Sequence, residues 1–341
     1  MEFFYSDVAG RMNADPTEAR IRPARGSAVR PGIYIAGAFL VGISVLAVLA
    51  PILPLSSHLE GDLSEQFLSP DPMIRPSAAL PGAEDSLSMK VRKALFGSIE
   101  IFNLMGTDSK GRDLCSRILW GGRVSLWVGL IAALISLIVG IGWGATAGYA
   151  GGTVDQVMMR IVDILYSIPF VVVVIYMISL IQEYEAVLRV LGIDRITVLY
   201  LLVGLIYWLT MARIVRGQVL SLRERDFVCA ARALGATHLR IIVAHLVPNI
   251  LGVAVVYLTL TIPRAMLFEA FISFVGLGVE PPDVSWGLLA SDSVSVINPI
   301  NIYWWLIIFP GGVLTLTLLS LNLLGDALRD RLDPRMEKKS S

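Results

Sequence analysis

A bundle of about six membrane-spanning helices is the fold class that this sequence predicts, and three observations predict it. Of its 341 residues, 55% are hydrophobic and only 16% charged, against about 25% charged and roughly 45–50% apolar in a soluble domain. The charges gather into short clusters between long uncharged stretches, the pattern of membrane spans rather than of one oversized core. Six of those stretches approach or exceed the roughly 20 helical residues that a hydrocarbon layer requires.

Residues 1–30 are polar, with Pro16, Pro23 and five arginines, and read as a tail. The run over 31–55 follows a tail too long and mixed in charge for a signal peptide, so it is expected to stay as an anchor. Further spans are expected over 124–150, 164–182, 196–212, 246–276 and 302–325, the last five making a core over 123–326. They should be helices, because hydrocarbon offers the backbone no other hydrogen-bond partners. Transmembrane strands would be about 9–11 residues with alternating polarity, a pattern absent here. Between the first two spans, 56–122 reads as a segment outside the membrane. Leu87, Val91, Leu95, Ile99 and Phe102 recur there at helical spacing, as in a helix lying on the bilayer surface or covering the spans.

Basic residues beside the spans orient the chain. The tail arginines, Arg213, Arg216, Arg223, Arg225, Arg232, Arg240, and the Arg329–Lys339 cluster within the final tail, 327–341, then fall on one side. The short loops opposite carry only Arg189 and Arg195. Both termini are therefore expected in the cytoplasm, with Cys115 and Cys229 on opposite faces and unable to bridge. A net charge of zero gives no reason to expect a nucleic-acid partner.

The loop over 213–245 is the most informative stretch. Ser221 and Glu224 fit a capping box that would open a helix. Phe227, Ala231 and Leu234 follow at helical spacing with Ala230 alongside, Gly235 is placed to stop that helix, and Pro248 marks the passage into the next span. The expected product is helix, glycine turn, helix. Its alanine pair would let another protein's backbone come close.

Cys229-Ala230-Ala231, then Gly235, then Pro248 resemble the EAA loop of importer-type ABC permeases, with Cys229 in place of the Glu, His245 of the Ile and Val247 of the Leu. The run from His245 to Asn249 looks like the dipeptide/oligopeptide branch, OppC-type. GTDSKGRD from Gly106, VDQVMMRIVDILYSIP up to Pro169, MARIVRG from Met211, SFVGLGVEPPDVSWG from Ser273 and NLLGDALRDRLDPR from Asn322 resemble that branch in order. The resemblance implies a type I importer fold, and a non-catalytic permease lining half of a peptide pathway. It also implies a second homologous permease, two ATP-binding subunits and an extracytoplasmic substrate-binding protein, in the plasma (inner) membrane. Coupling to the ATPase would run through Phe227, Cys229, Ala230, Ala231, Leu234, Gly235, His245 and Pro248.

The rest of the sequence is compatible with that division of labour. No lysine follows a glycine anywhere, so the phosphate-binding G-x-x-x-x-G-K-[ST] loop is missing, and ATP with its Mg²⁺ is expected on partner subunits. The histidines, His58, His238 and His245, form no metal pattern. Gly140, Gly144 and Gly148, every fourth residue, favour close helix packing. Arg264 and Glu269 lie within a span, where charges are costly, and read as a mutual or inter-subunit pair or as pathway residues. Asp163 is expected to pair with Arg160, and Tyr303, Trp304 and Trp305 to form an interfacial belt. The alternatives are an ion-coupled secondary transporter working alone, with Arg264, Glu269 and Asp163 as relay, or an ABC permease for nickel or another small solute.

Overall fold

The structure, a computed structural model, describes residues 31–76, 87–184, 190, 192, 194–297 and 301–332. Helix α1 covers Pro31–Leu49; a short strand β1, Met73–Pro76, and helix α2, Leu87–Phe96, lead to strand β2, Ile99–Phe102. Then come α3, Leu114–Ala150, α4, Gly152–Ser167, α5, Phe170–Glu183, α6, Arg195–Leu222, and α7, Asp226–Ala233. The chain closes with α8, His238–Phe274, α9, Trp286–Ser295, and α10, Trp304–Leu332. Among the described residues α1, α3, α6, α8 and α10 are each long and apolar enough to cross a membrane, and the pair α4–α5 makes a sixth crossing bent by 79°.

The bend is a departure from the continuous third span expected over 164–182. Pro169 lacks an amide hydrogen and forces the residue before it out of the helical region. Ile168 accordingly sits at φ −79°, ψ 126°, between the two helices. The fourth span is longer than expected: α6 runs unbroken through Arg213 and Arg216 to Leu222, so only its end belongs to a loop. Apolarity marks what lies in hydrocarbon, whereas a helix continues as long as its amides are paired.

The core is a pair of parallel helices, α3 and α6, in contact from Val128 beside Val203 to Gly148 beside Val219. A Cβ on Gly144 would stand 2.4 Å from Ala212 O, one on Gly140 2.5 Å from Met211 Cβ, and one on Gly148 3.0 Å from Arg216 O. The glycine stripe thus lets the MARIVRG stretch of α6 lie backbone to backbone on α3, as its spacing predicts. Val128, Ala132, Val203 and Ala265, all fully buried, bring α8 into the same core. Asp113 caps α3, its Oδ2 accepting from Ser116 N at 2.7 Å, and Asp194 caps α6 through Thr197 N at 3.0 Å. At 37 residues α3 is about 55 Å long, well beyond a hydrocarbon core of about 30 Å. Its Leu114 end and its Ala150 end therefore stand in different surroundings.

At the Leu114 end, β1 and β2 pair antiparallel from Met73↔Phe102 to Pro76↔Ile99. The helical pattern expected to run through Ile99 and Phe102 stops at Gly97, whose φ of +67° ends α2. From there the alternation is that of a strand, with Glu100 and Phe102 buried. Spacings of three and four residues recur by chance across such a junction. Trp305 is buried, its indole donating to Thr107 O at 3.2 Å, so of the expected aromatic belt only Trp304 is strongly exposed, at 48%.

Candidate functional site at the Ala150 end

Helix α7 is held by this chain's own spans. Val228 and Ala231 pack with Ala145 of α3, Met211, Val215 and Val219 of α6, and Ile241, Leu246 and Ile250 of α8. The stop at Gly235 is built as expected: φ is +81°, Gly235 N donates to Arg232 O at 3.0 Å and Ala236 N to Ala231 O at 3.0 Å. Those two bonds are the Schellman closure. Thr237 then caps α8, its Oγ1 accepting from Arg240 N at 3.4 Å.

Three local expectations differ. The capping box does not form, because α6 continues through Ser221, whose hydroxyl donates to Gln218 O at 2.8 Å. Instead α7 opens at Arg225 with no side-chain cap, and Asp226 stands in its first turn. Ala231 is 9% exposed and faces this chain's core rather than a partner. The outward face comprises Phe227, Ala230 and Leu234, three and four residues apart, with Leu234 88% and Phe227 39% exposed. Cys229 is also exposed. Pro248 does not break the chain into two helices either, for α8 passes it after a π-helical turn, Ile241–Leu246. The wider turn draws the backbone off the proline ring, which would otherwise strike a carbonyl four residues back. Asn249 Nδ2 donates to His245 O at 2.6 Å, and His245 itself is half-buried.

That early part of α8 adds residues the sequence did not single out. Leu239 is 72% and Val243 58% exposed. With Phe227, Ala230 and Leu234 they leave this end of the bundle apolar and uncovered. The signal was present, since 239 and 243 are four apart in a helix already expected. Around the site, Arg232 lies 5.6 Å over the Tyr149 ring, Tyr149 Oη meets His238 Nδ1 at 3.1 Å, and Arg223 Nη1 donates to Gly148 O at 3.2 Å. Arg216 grips Asp155 of α4 with two bonds, 2.5 and 2.6 Å. Asp163 pairs with Arg213 at 2.9 Å, not with Arg160, because α6 extends far enough to bring Arg213 alongside α4.

The two charges within α8 do not meet. Arg264 is exposed and Glu269 fully buried, since five residues turn them to different faces. Among the described residues Arg264 has no ion pair, and Glu269 accepts from Ser125 Oγ at 3.1 Å and Ser273 Oγ at 2.7 Å. A mutual pair is ruled out. Among the described residues no group of three or more His, Cys, Asp or Glu is placed to hold a metal ion.

At the other end of α3 charged groups are buried and paired. Asp108 accepts from Arg112 Nε at 2.8 Å and from Arg117 Nη1 at 2.6 Å, while Arg117 Nη2 reaches Asp292 at 3.0 Å. Asp108 is buried, which works against its charge, yet the guanidinia of Arg117 and Arg112 and the Arg112 amide hold its carboxyl below the usual value. For Asp113 burial outweighs the Ser116 and Asn103 amides and the charge of Arg75, and pushes its carboxyl up to about 6. His58, stacked on Trp120 at 4.1 Å, is lowered to about 4 by burial and by Arg117, Arg123 and Arg112.

Comparison with known proteins identifies the family. Residues 140–338, more than half the chain and the whole of the α7 site, match the family described as binding-protein-dependent transport system inner membrane component. The dipeptide transport system permease protein DppC of Bacillus subtilis is 37% identical over 307 residues, 90% of this chain and 83% of that protein. The oligopeptide transport system permease protein OppC of Haemophilus influenzae is 43% identical over 238 residues, 70% and 72% of the two chains. The OppC protein of Salmonella typhimurium is 46% identical over 230 residues, 67% and 72%. A solved chain of the inward-facing MetNI methionine ABC transporter aligns at TM-score 0.49 and 17% identity, over 63% of this chain and 96% of that one. On the family match and on relatives that share this much of their length with it, the chain belongs to the inner membrane components of binding-protein-dependent transport systems.

Proposed function

We propose that this chain is one permease half of an ATP-driven importer and lines half of a pathway for dipeptides or oligopeptides. The peptide substrate follows the relatives named for it. The observation that carries the coupling role is the set of uncovered apolar side chains Phe227, Ala230 and Leu234 on and just after α7 and Leu239 and Val243 on early α8, with α7 fixed to three spans by Val228 and Ala231. A rigid helix with one apolar face is what a groove on another protein takes hold of. The occupant is an ATP-binding subunit, two of which supply the energy with ATP and Mg²⁺. A homologous permease completes the pathway, and an extracytoplasmic binding protein delivers cargo.

In this reading the Ala150 end is cytoplasmic, as are both termini, and the membrane is the plasma (inner) membrane. Arg213, Arg216, Arg223, Arg225, Arg232 and Arg240, on α6, α7 and early α8 and in the turn between α6 and α7, support that orientation. Closure of the ATPase pair pushes α7, and α7, packed on α3, α6 and α8, passes the displacement to the spans as a rigid-body shift. Gly235 and the turn before Pro248 fix the angle at which α7 is presented.

The test is a pull-down of ATPase subunits by the complete complex carrying Ala230→Arg or Leu234→Asp, alongside ATP-dependent peptide uptake in proteoliposomes. Both variants should assemble as membrane protein and lose the ATPase. Retention of the ATPase with wild-type uptake would show that this face is not the docking surface. For orientation, Cys229 should label only after the cytoplasmic face is opened, while buried Cys115 stays unlabelled.

A further inference from the structure

Glu269 lies five residues before the end of α8, fully buried. Its carboxylate is held by hydroxyls: Ser125 of α3 and Ser273 of α8 donate to its two oxygens, and Ser285, which caps α9, lies against it as well. The Ser125 and Ser273 hydroxyls are themselves gripped by the returning chain. Trp286 N donates to Ser125 Oγ at 3.2 Å, and Val279 N to Ser273 Oγ at 3.1 Å. Trp286 opens α9, its side chain fully buried and its indole donating to Ile118 O at 2.9 Å. A Cβ on Gly287 would stand 2.5 Å from Ala270 Cα. The first turn of α9 is therefore sunk between α3 and α8, its positive end toward the carboxylate. Farther along α9, Asp292 is tied to Arg117 at 3.0 Å.

A burial this deep is expensive for a carboxyl with no cation, and a serine-rich wall for α9 would need no acid at all. What the acid adds is a single group bonded to α3 and α8, each hydroxyl of which receives an amide from the segment ending in α9. Moreover α8 is continuous from His238, beside the α7 site, to Glu269 at the other end. We propose that Glu269 is a positioning residue that makes α9 follow α8, so that a displacement delivered at the Ala150 end reseats the wedge closing the Leu114 end. The proposal rests on the reading of the chain as an importer permease. Without the carboxylate α8 moves and α9 does not follow, so ATP is spent without transfer of cargo.

The experiment uses the complete complex with both permeases, the ATPase subunits and the binding protein, reconstituted in proteoliposomes, and reads peptide uptake against ATP turnover. Glu269→Ala should lower uptake per ATP at least tenfold with ATP turnover within about twofold of wild type. Ser125→Ala should move the ratio the same way, about threefold, and Glu269→Gln, which keeps a hydrogen-bonding group in place, should stay within twofold. A spin label at Val294→Cys, 49% exposed on α9, in a Cys229→Ser background, should become mobile in Glu269→Ala and stay immobile in Glu269→Gln. A coupling ratio within twofold of wild type in both Glu269→Ala and Ser125→Ala, or a label equally immobile in all variants, overturns the proposal. The label needs no substrate: if the wild-type complex carries no peptide, the substrate reading fails while the label still decides on Glu269.

Discussion

At the Leu114 end of the bundle, charged side chains are buried and matched, Asp108 against Arg112 and Arg117 and Arg117 against Asp292. At the Ala150 end apolar side chains stand uncovered among the exposed arginines: Phe227, Leu234, Leu239 and Val243. The difference teaches where each end finds its partners. A guanidinium 1% exposed, such as Arg117, is tolerable only with its counter-charges in place, so these buried charges are matched within the chain. An exposed apolar cluster raises no such demand on its own fold, and gains when another surface covers it.

The contrast breaks most severely at Asp108. Asp108→Ala leaves Arg117 buried with only Asp292, itself 42% exposed, a loss of about 3–5 kcal/mol, readable as a collapse of the thermal transition in detergent. Next is the joint shared by both ends. Gly144→Val drives a side chain into Ala212 O and Val215 and should cost about 3 kcal/mol through overpacking, measured the same way. Asp113 offers a pH-resolved cut. Because its folded value is raised to about 6, the folded state holds the proton more tightly than the unfolded one. Stability from this group is thus complete below the ordinary carboxylate value and is lost as pH climbs to about 6. Asp113→Asn should flatten the thermal-transition-against-pH curve across about pH 4–6; an unchanged slope would mean that the group does not titrate there.

At the Ala150 end the expected costs are smaller. A Cβ on Gly235 meets no atom within 4 Å, so Gly235→Val chiefly bears the penalty of a β-branched residue at φ +81°, about 1–2 kcal/mol, seen as weakened ATPase coupling with the bundle intact. Leu234→Asp should leave the thermal transition within about 0.5 kcal/mol and abolish ATPase copurification. If it destabilised the chain as Asp108→Ala does, the two ends would not differ in kind.

What the sequence made legible follows the same division. Spans, the glycine stripe and the stop at Gly235 were readable because each depends on a run of apolar residues or on one residue's backbone. The bend at Ile168–Pro169 was equally local and was overridden by the apolar count on either side. Which alanine faces outward was not readable. Ala230 and Ala231 are chemically identical, and only the packing of Val228 against Val219, Ile241 and Leu246 decides between them. Pairings across the fold, Asp155 with Arg216 and Asp163 with Arg213, depended on how far α6 continues, and hydropathy carries no information about that. Glu269 drew notice as an intramembrane acid, but its serine partners lie 144 residues away and 4 residues away, and the first has no sequence signature.

The π turn Ile241–Leu246 has a consequence for phase. Relative to an α-helix such a turn carries one residue too many, and each residue is worth about 100° of rotation. Counted back from Ile250 in the core, Leu239 and Val243 therefore do not face where heptad arithmetic puts them. Deleting one residue within 241–246 would let the helix close regularly and swing everything before it, α7 included, by about 100° and 1.5 Å. Two chains with the same residues around Gly235 and Pro248 would then present their docking faces in different directions if one lacked that residue. The spacing between the two landmarks acts as a dial for aim.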